Sequence, residues 1–475
     1  METLQRTANR GSISTGFDID NSLKIEPDNS ESMSRTPSGN GNLKTCTLSV
    51  WLKRTELKEG FYFTGDYGGS ANPWFILGFN SNEISLSTTA GVSANGAIKT
   101  TRLFRDTSAW YHIVVAFDTT QSTASNRVKI YVNGVQETSF SSANYPDQND
   151  DLDIMAAKAQ GIGGYNDGTD YRYAGYMSEF VGIDGQALAP TEFGEFNSNS
   201  GIWIPKDVSG LTFGTNGFYL DFKDASNLGN DASGGTDFAE TNITAVDQAT
   251  DTPTNNFCTW NPLVTNAGVF TYTEGATKWK PSSGNWQTTT ASMGFTKGKW
   301  YAEFKMDNNV TAAMVGVQQL ENDTTYSGQY LGYYANTTSM GMGYYNADGK
   351  VYRNTGESAY GASYPSSVLV SVALEFKDDG TANMYVAKDG TWQNSADPAN
   401  GTGGFGLNYG SAVDGFFTFA SSLYQNPGYW QANFGGYTVN SISSAASDAN
   451  GYGTFEYAPP SGYYALCTKN LAEYG

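Results

Sequence analysis

The sequence predicts an all-β protein made of two β-sandwiches joined by an extended connector. Apolar residues recur at alternate positions in many short runs, as at Leu48, Val50 and Leu52, and turn-forming residues separate these runs. The composition points the same way, because 55 glycines and 14% aromatic residues suit short strands better than helices. A length of 475 residues is enough for two or three domains, each with a sizeable core.

The first strand-rich block is predicted at residues 21–197, after a polar arm at residues 1–20. Asn133-Gly134 lies inside the run RVKIYVNGVQETSF and is a strong hairpin signal, because it tolerates the positive φ angles of a type I′ turn. Short strands at regular spacing are typical of a sandwich.

Residues 198–265 are rich in Asn, Asp, Thr and Gly, and we expect an extended connector that wraps against one or both domains. A free linker would seldom keep so many large apolar side chains. They are Phe218, Tyr219, Leu220, Phe222, Phe238, Phe257 and Trp260.

The second strand-rich block is predicted at residues 266–440 and is followed by a tail at residues 441–475. Three Asp-Gly pairs predict tight turns between its strands. These pairs are Asp348-Gly349, Asp379-Gly380 and Asp389-Gly390.

Family-like motifs occur in both blocks. AWYHIVVAFDTT…RVKIYVNGV (Trp110 to Val135) and the later GYMSEFVGIDGQAL resemble laminin-G-like and pentraxin-like domains, over about residues 20–195. GKWYAEFK, GMGYYNADGKVYRN, VALEFKDDGTANMYVAKDGTW and QANFG are similar, in this order, to SPRY-like domains. These resemblances imply two concanavalin A-like jelly-roll β-sandwiches.

Two longer segments look like parts of structural proteins of marine tailed bacteriophages. They are GSISTGFDIDNSLKIEPDNSESMSRTP and the connector NLGNDASGGTDFAETNITAVDQATDTPTNNFCTWNPL. This resemblance implies a virion protein made in the host cytoplasm, either a tail fibre or a capsid appendage. Its implied partners are other tail or capsid proteins, further copies of itself, and a host-surface glycan or protein.

Charge and hydropathy narrow the range of partners. The formal net charge is −20 and no dense basic run occurs, so nucleic acid is not expected as a partner. The sequence contains no run of about eighteen apolar residues, so membrane insertion is not expected. The start METLQRTANRGS lacks a secretory signal. The three cysteines, Cys46, Cys258 and Cys467, are too few and too far apart for a disulfide framework or a zinc site.

The sequence does not predict an enzyme. The related glucanases use carboxylates in a Glu-x-Asp-x-Glu pattern, but DDLDIMAA offers Asp151 and Asp153 without a glutamate. The single histidine, His112, is expected to be hydrogen-bonded within the sheet, and no G-x-S-x-G motif is present.

Aromatic residues at loops and strand ends are the candidates for ligand binding, because sugars stack on Trp and Tyr rings. Adhesion to a host-surface glycan or protein is therefore the leading hypothesis. A purely architectural role in the virion is the alternative, and a polysaccharide-cleaving spike is the third. Calcium is the one candidate cofactor, at Asp66, Asp167 and Asp170. The ligand candidates are Tyr67, Trp74, Tyr165, Tyr171, Tyr173, Tyr326, Tyr330, Tyr360 and Tyr364, with Tyr424 a comparable position.

Overall fold

The computed structural model divides the chain into an N-terminal unit, Ser14–Asn255, and a C-terminal unit that contains Asn256–Gly475. The described residues are 16–65, 75–88, 98–164, 171–264, 270–282, 285–307, 310, 312–320, 330–332, 340–353, 356–409, 415–424 and 428–475.

The N-terminal unit consists of short strands and five 3-10 turns in its described part. The turns are Pro27–Asn29, Ala124–Asn126, Asp153–Met155, Pro190–Glu192 and Ala245–Asp247. The strands are β1 (Ser22–Ile25), β2 (Ser32–Arg35), β3 (Thr45–Arg54), β4 (Gly60–Gly65), β5 (Phe75–Asn80), β6 (Glu83–Thr88), β7 (Ile98–Thr100), β8 (Trp110–Asp118), β9 (Val128–Val132), β10 (Val135–Gln136), β11 (Phe140–Ser142), β12 (Gln160–Ile162), β13 (Gly175–Asp184), β14 (Gly194–Phe196), β15 (Trp203–Pro205), β16 (Phe218–Leu220), β17 (Ala239–Thr241) and β18 (Gln248–Ala249).

These strands form two large antiparallel sheets and a small hairpin, β14-β15. Sheet I has the order β10-β9-β8-β3-β13-β1-β18, with β16 also paired to β13, and sheet II has the order β11-β7-β6-β5-β4-β12-β2-β17. Leu48, Val50 and Leu52 alternate into the core between the sheets, as their spacing predicts. Asn133 and Gly134 adopt φ angles of 47° and 77° and join β9 to β10, so the predicted hairpin is confirmed.

The segment after residue 197 is part of the N-terminal unit as far as Asn255. Its strands β16, β17 and β18 pair with β13, β2 and β1. Phe218, Leu220 and Phe238 from this segment are buried in the same core as the jelly-roll strands. We call residues 198–255 the covering segment.

The C-terminal unit has a 3-10 turn at Gln393–Ser395 and, among its described residues, one α-helix at Thr468–Tyr474. Its strands are β19 (Phe270–Thr273), β20 (Lys278–Pro281), β21 (Trp286–Thr290), β22 (Gly298–Met306), β23 (Ala312–Leu320), β24 (Gly341–Tyr345), β25 (Lys350–Arg353), β26 (Gly356–Ala359), β27 (Val370–Phe376), β28 (Thr381–Lys388), β29 (Thr391–Trp392), β30 (Phe405–Asn408), β31 (Phe416–Tyr424), β32 (Trp430–Asn433) and β33 (Tyr464–Ala465).

Two sheets again enclose one core. Sheet III has the order β19-β20-β32-β22-β27-β28-β29, with β30 paired to β28 and β33 to β22, and sheet IV has the order β21-β31-β23-β24-β25-β26. The three predicted Asp-Gly turns are confirmed, because they join β24 to β25, β27 to β28 and β28 to β29, with the glycine at positive φ each time. The predicted all-β class is therefore confirmed.

The C-terminal tail packs on the outer face of sheet III. Tyr301 of β22 and Tyr385 of β28 are buried there against Phe455 and Tyr463. The carboxylate of Glu303 accepts the backbone N–H groups of Glu456 and Tyr457 at 2.9 and 2.8 Å, which ties the tail to β22.

Of the helices in the described part of the chain, none is long and apolar enough to cross a membrane.

Candidate ligand-binding surface

The outer face of sheet IV carries half-buried aromatic side chains from four of its strands. Successive residues of a strand point to opposite faces, so Val315 and Tyr344 enter the core while their neighbours point outward. Strand pairing places β21 beside β31, and β24 beside β25, which brings the outward-facing rings close together. We call the resulting group the aromatic cluster: Trp286, Tyr330, Tyr345, Tyr352 and Tyr424.

The rings of the cluster contact one another as a continuous patch. The ring centroid of Trp286 lies 5.1 Å from that of Tyr330, 6.0 Å from that of Tyr345 and 5.5 Å from that of Tyr424. Tyr352 meets Tyr330 edge-on at 5.6 Å and Tyr345 at 5.8 Å. All five side chains are partly exposed, so each presents some ring surface to solvent.

Leu331 anchors the cluster from the segment that precedes β24. This side chain is fully buried, and its backbone N–H donates to Ser422 Oγ at 3.0 Å. A Cβ atom at Gly343 would lie 2.6 Å from Leu331 Cβ, so the glycine makes room for the leucine. This close packing holds the adjacent Tyr330 against the sheet.

Charged groups border the aromatic cluster on one side. Lys350 Nζ contacts both the Glu357 carboxylate and Asp348 Oδ2, the latter at 3.7 Å. The Tyr352 hydroxyl lies 3.5 Å from the same Asp348 oxygen. The hydrogen bond from Lys350 lowers the pKa of Glu357, so this carboxylate is ionised at neutral pH. The border therefore offers acceptors and one cationic donor beside flat apolar rings.

The sequence predicted part of this surface. Tyr330 and Tyr424 were predicted, and the structure brings them together with three residues that were not. Tyr345 and Tyr352 could have been found, because the Asp348-Gly349 turn makes a hairpin that places them on one face. Trp286 carried no comparable signal, since its position depends on pairing with β31, far away in sequence.

Three predicted ligand-binding tyrosines lie in loops or beside strand ends, as expected, but their side chains are buried in cores, which corrects the expectation that they are available to a ligand. Tyr173 is 1% exposed and its hydroxyl donates to the Lys53 carbonyl oxygen. Tyr364 is 2% exposed and stacks on Tyr344, and Tyr360 is packed in the same core. Apolar neighbours cover these rings, so burial outweighed their local, turn-rich sequence.

Of the remaining candidates, Tyr171 is 40% exposed and packs beside Phe61 in the N-terminal unit. The others lie outside the described residues, and the calcium site stays a prediction for that reason. Within the described ranges, no group of three potential metal-ligating side chains occurs. The candidates outside the described residues are Tyr67, Trp74, Tyr165, Tyr326, Asp66, Asp167 and Asp170.

His112 is buried in sheet I and hydrogen-bonded there, as the sequence predicted. Its Nε2 lies 2.9 Å from Ser49 Oγ on the neighbouring strand, and its Nδ1 accepts the indole N–H of Trp203 at 2.9 Å. The ring stacks on that of Trp51, with the two centroids 4.5 Å apart, and the centroid of the Trp203 ring lies 5.9 Å away. Burial lowers its pKa to about 3, so the imidazole is neutral and both of its nitrogens are occupied.

Comparison with known families supports the predicted fold. Residues 28–192 match the family model described as the concanavalin A-like lectin/glucanases superfamily. The jelly-roll prediction for the first block is thereby confirmed. Among proteins of curated function, no significant match was found.

Three solved structures are similar to this chain at low sequence identity. A human SPRY domain is 16% identical and covers 34% of this chain and 95% of its own, with a TM-score of 0.25. A Limulus polyphemus SAP-like pentraxin is 17% identical (37% of this chain, 80% of its own, TM-score 0.27). Domains LG4-5 of the mouse laminin α1 chain are 9% identical and cover 93% of this chain and 88% of their own, with a TM-score of 0.29.

Proposed function

We propose that this chain is a non-enzymatic adhesion protein whose aromatic cluster binds a glycan on a host cell surface. The observation that carries the proposal is the continuous patch of five partly exposed rings on the rigid face of sheet IV. Pyranose rings have apolar C–H faces that stack on Trp and Tyr, while neighbouring polar groups bind their hydroxyls. Asp348, Lys350 and Glu357 supply such polar groups beside the rings.

The proposed setting is the particle of a tailed bacteriophage, as a tail fibre or capsid appendage that contacts other virion proteins and further copies of itself. The support for this setting is the resemblance of residues 11–37 and of the connector to phage structural proteins. The family match at residues 28–192 supports the more general class of binding modules.

The proposal includes no catalysis. Glycoside hydrolysis needs two carboxyl groups, one of which must stay protonated to act as the general acid. Beside the aromatic cluster, Asp348 and Glu357 both contact Lys350, and the pKa of Glu357 is lowered rather than raised. A carboxylate stabilised in its ionised form is a poor proton donor.

A glycan array printed with neutral bacterial-surface oligosaccharides tests this proposal on the full-length protein. We expect binding to a subset of the glycans, and we expect Trp286→Ala with Tyr352→Ala to weaken it by about tenfold or more, since each stacked ring contributes on the order of 1 kcal/mol. Phe196→Ala is the matched control, because it removes an exposed aromatic ring elsewhere and should leave binding unchanged.

Equal glycan binding by the wild-type protein and the double variant would show that the aromatic cluster is not the glycan-binding site. If the wild-type protein bound no glycan but bound a purified capsid or tail protein, the architectural alternative would replace adhesion. Release of reducing sugar from a bound polysaccharide would contradict the non-enzymatic assignment.

A further inference from the structure

A second surface of the C-terminal unit concentrates positive charge in a chain whose net charge is −20. Lys278 and Lys280 occupy alternate positions of β20 and therefore share one face of sheet III. Gln431 of β32 pairs with Lys278 on one side and with Lys305 of β22 on the other. We call Lys278, Lys280 and Lys305 the lysine patch.

Tyr429 holds two of these ammonium groups in place. Lys278 Nζ lies 4.5 Å from the centroid of the Tyr429 ring, and Lys280 Nζ lies 4.7 Å from it. Cation–π contacts of this kind fix the position of a flexible side chain without neutralising its charge. The two lysines are therefore ordered in advance for an anionic partner.

The patch contains little compensating negative charge. Asp307 Oδ2 lies 3.8 Å from Lys278 Nζ, but the other oxygen of this carboxylate accepts a hydrogen bond from Gln431 at 2.6 Å. Within the part of the chain that the structure describes, Lys280 and Lys305 form no ion pair. Three lysines leave the patch positively charged even when both Asp307 and Glu303, which lies two residues from Lys305 on the same face of β22, are counted, and folding alone does not favour this because like charges on one sheet face repel.

The lysine patch lies where the C-terminal tail does not cover sheet III. The tail contacts β22 at Tyr301 and Glu303, whereas Lys305, two residues further along the same face, stays partly exposed. Lys278, Lys280 and Gln431 are partly exposed as well. The patch is thus a partly exposed surface formed by three paired strands.

We infer that the lysine patch binds an anionic polysaccharide, a chain that carries carboxylate, sulfate or phosphate groups. Lys278 and Lys305 lie two strands apart, or about 10 Å, and Lys278 and Lys280 lie about 7 Å apart along one strand. These are backbone spacings, and a polyanion whose charges repeat along its length can contact more than one of the three lysines. Three lysines and an overall negative charge do not suit nucleic acid, whose binding requires many phosphate contacts.

This inference is independent of the glycan site proposed above. The aromatic cluster lies on the outer face of sheet IV, and the lysine patch lies on the outer face of sheet III, with the core between the two sheets. Substitutions at one site should leave binding at the other site unchanged. An experiment can therefore contradict one proposal without contradicting the other.

Binding of the full-length protein to dextran sulfate, polygalacturonate and neutral dextran tests the inference, with calorimetry or biolayer interferometry as the readout. We expect binding to one or both polyanions, none to neutral dextran, and weaker affinity as NaCl rises from about 50 to about 300 mM, because salt screens exposed charges. Lys280→Gln with Lys305→Gln should weaken polyanion binding by about tenfold. Preference for one polymer identifies sulfate or carboxylate as the recognised group.

Lys388→Gln with Lys469→Gln is the matched control, since it removes the same charge from the same unit outside the patch, and it should change affinity less than about twofold. Trp286→Ala should also leave polyanion binding unchanged. The inference is overturned if the wild-type protein binds neither polyanion, if the patch variant binds as tightly as the control variant, or if duplex DNA binds more tightly than both polysaccharides.

Discussion

The outer faces of sheets I and IV both carry large aromatic side chains, but their surroundings differ. On sheet I, Trp203 of the covering segment packs in one cluster with Trp51, and Val208 of the same segment packs in one cluster with Val181. On sheet IV, the described residues that lie over the face are only Tyr330–Gly332, and the aromatic cluster stays partly exposed. An outward-facing aromatic ring therefore indicates a binding surface only where no other segment of the chain covers it.

Buried ion pairs fix the covering segment in place. Lys24 Nζ lies 2.8 Å from Asp247 Oδ1, and Lys53 Nζ lies 2.7 Å from Asp251 Oδ2, with all four side chains almost fully buried. A third pair joins Arg35 of β2 to Asp231 at 3.4 Å. Each cation belongs to a jelly-roll strand and each aspartate to the covering segment, so these three pairs tie the segment to the sandwich, although Lys24 also pairs with Glu31 at 2.8 Å.

Removing one of these aspartates should produce the largest effect. Asp251→Ala removes the carboxylate that pairs with the buried Lys53 ammonium, and we expect a loss of about 3–5 kcal/mol in the free energy of unfolding. Urea denaturation followed by tryptophan fluorescence measures this loss. The exposed pair Lys44–Asp151 provides the control, because Asp151→Ala should cost less than about 1 kcal/mol. Equal losses for the two variants would show that the covering segment is only loosely attached.

Glu179, on the covered face of sheet I, should make the stability of the protein depend on pH. This residue lies at a β-bulge with a φ of 48°, its carboxyl accepts the Tyr219 hydroxyl at 2.6 Å, and burial raises its pKa from 4.5 to about 7. The carboxyl is protonated in the folded protein at a pH where the unfolded chain has already lost the proton. The contribution of Glu179 to stability is therefore most favourable below about pH 4.5 and is lost as the pH rises to about 7, a change of up to about 3 kcal/mol.

Glu179→Gln should flatten that pH dependence while keeping a hydrogen-bonding partner for Tyr219. Urea denaturation at intervals from about pH 5 to about pH 8 measures the slope. The control is Glu195→Gln, which changes an exposed glutamate of the same unit and should leave the slope as it is in the wild-type protein. A slope unchanged by Glu179→Gln would assign the pH dependence to other groups.

The smallest effect on stability is expected at the aromatic cluster. Trp286 is only partly buried where it packs at the edge of a small cluster with Leu331, so Trp286→Ala should cost about 1 kcal/mol, well below the 3–5 kcal/mol typical of a fully buried tryptophan. Thermal unfolding of the full-length variant measures the cost. A loss as large as that of Asp251→Ala would mean that the cluster is a packed core and not a binding surface.

Local sequence signals predicted the fold class and the turns, because Asn-Gly and Asp-Gly pairs and alternating apolar residues depend on near neighbours. The covering segment illustrates what such signals miss. Its strands β16 to β18 contain only two or three residues each, and their pairing and their ion pairs with Lys24 and Lys53 join positions far apart in sequence. The aromatic cluster depends on long-range pairing in the same way, since β21 meets β31 only in the folded sheet.

The strands at the edges of sheets I and II are short, and this limits aggregation when many copies of the protein lie close together. In the described residues the outermost strands are β10 and β18 in sheet I, and β11 and β17 in sheet II, and none exceeds three residues. A long open edge is a template on which a second chain can add a strand, whereas two or three residues offer too few backbone groups for a lasting ladder. Neighbouring copies of this protein, however densely displayed, therefore have little opportunity to merge their N-terminal sheets into an aggregate.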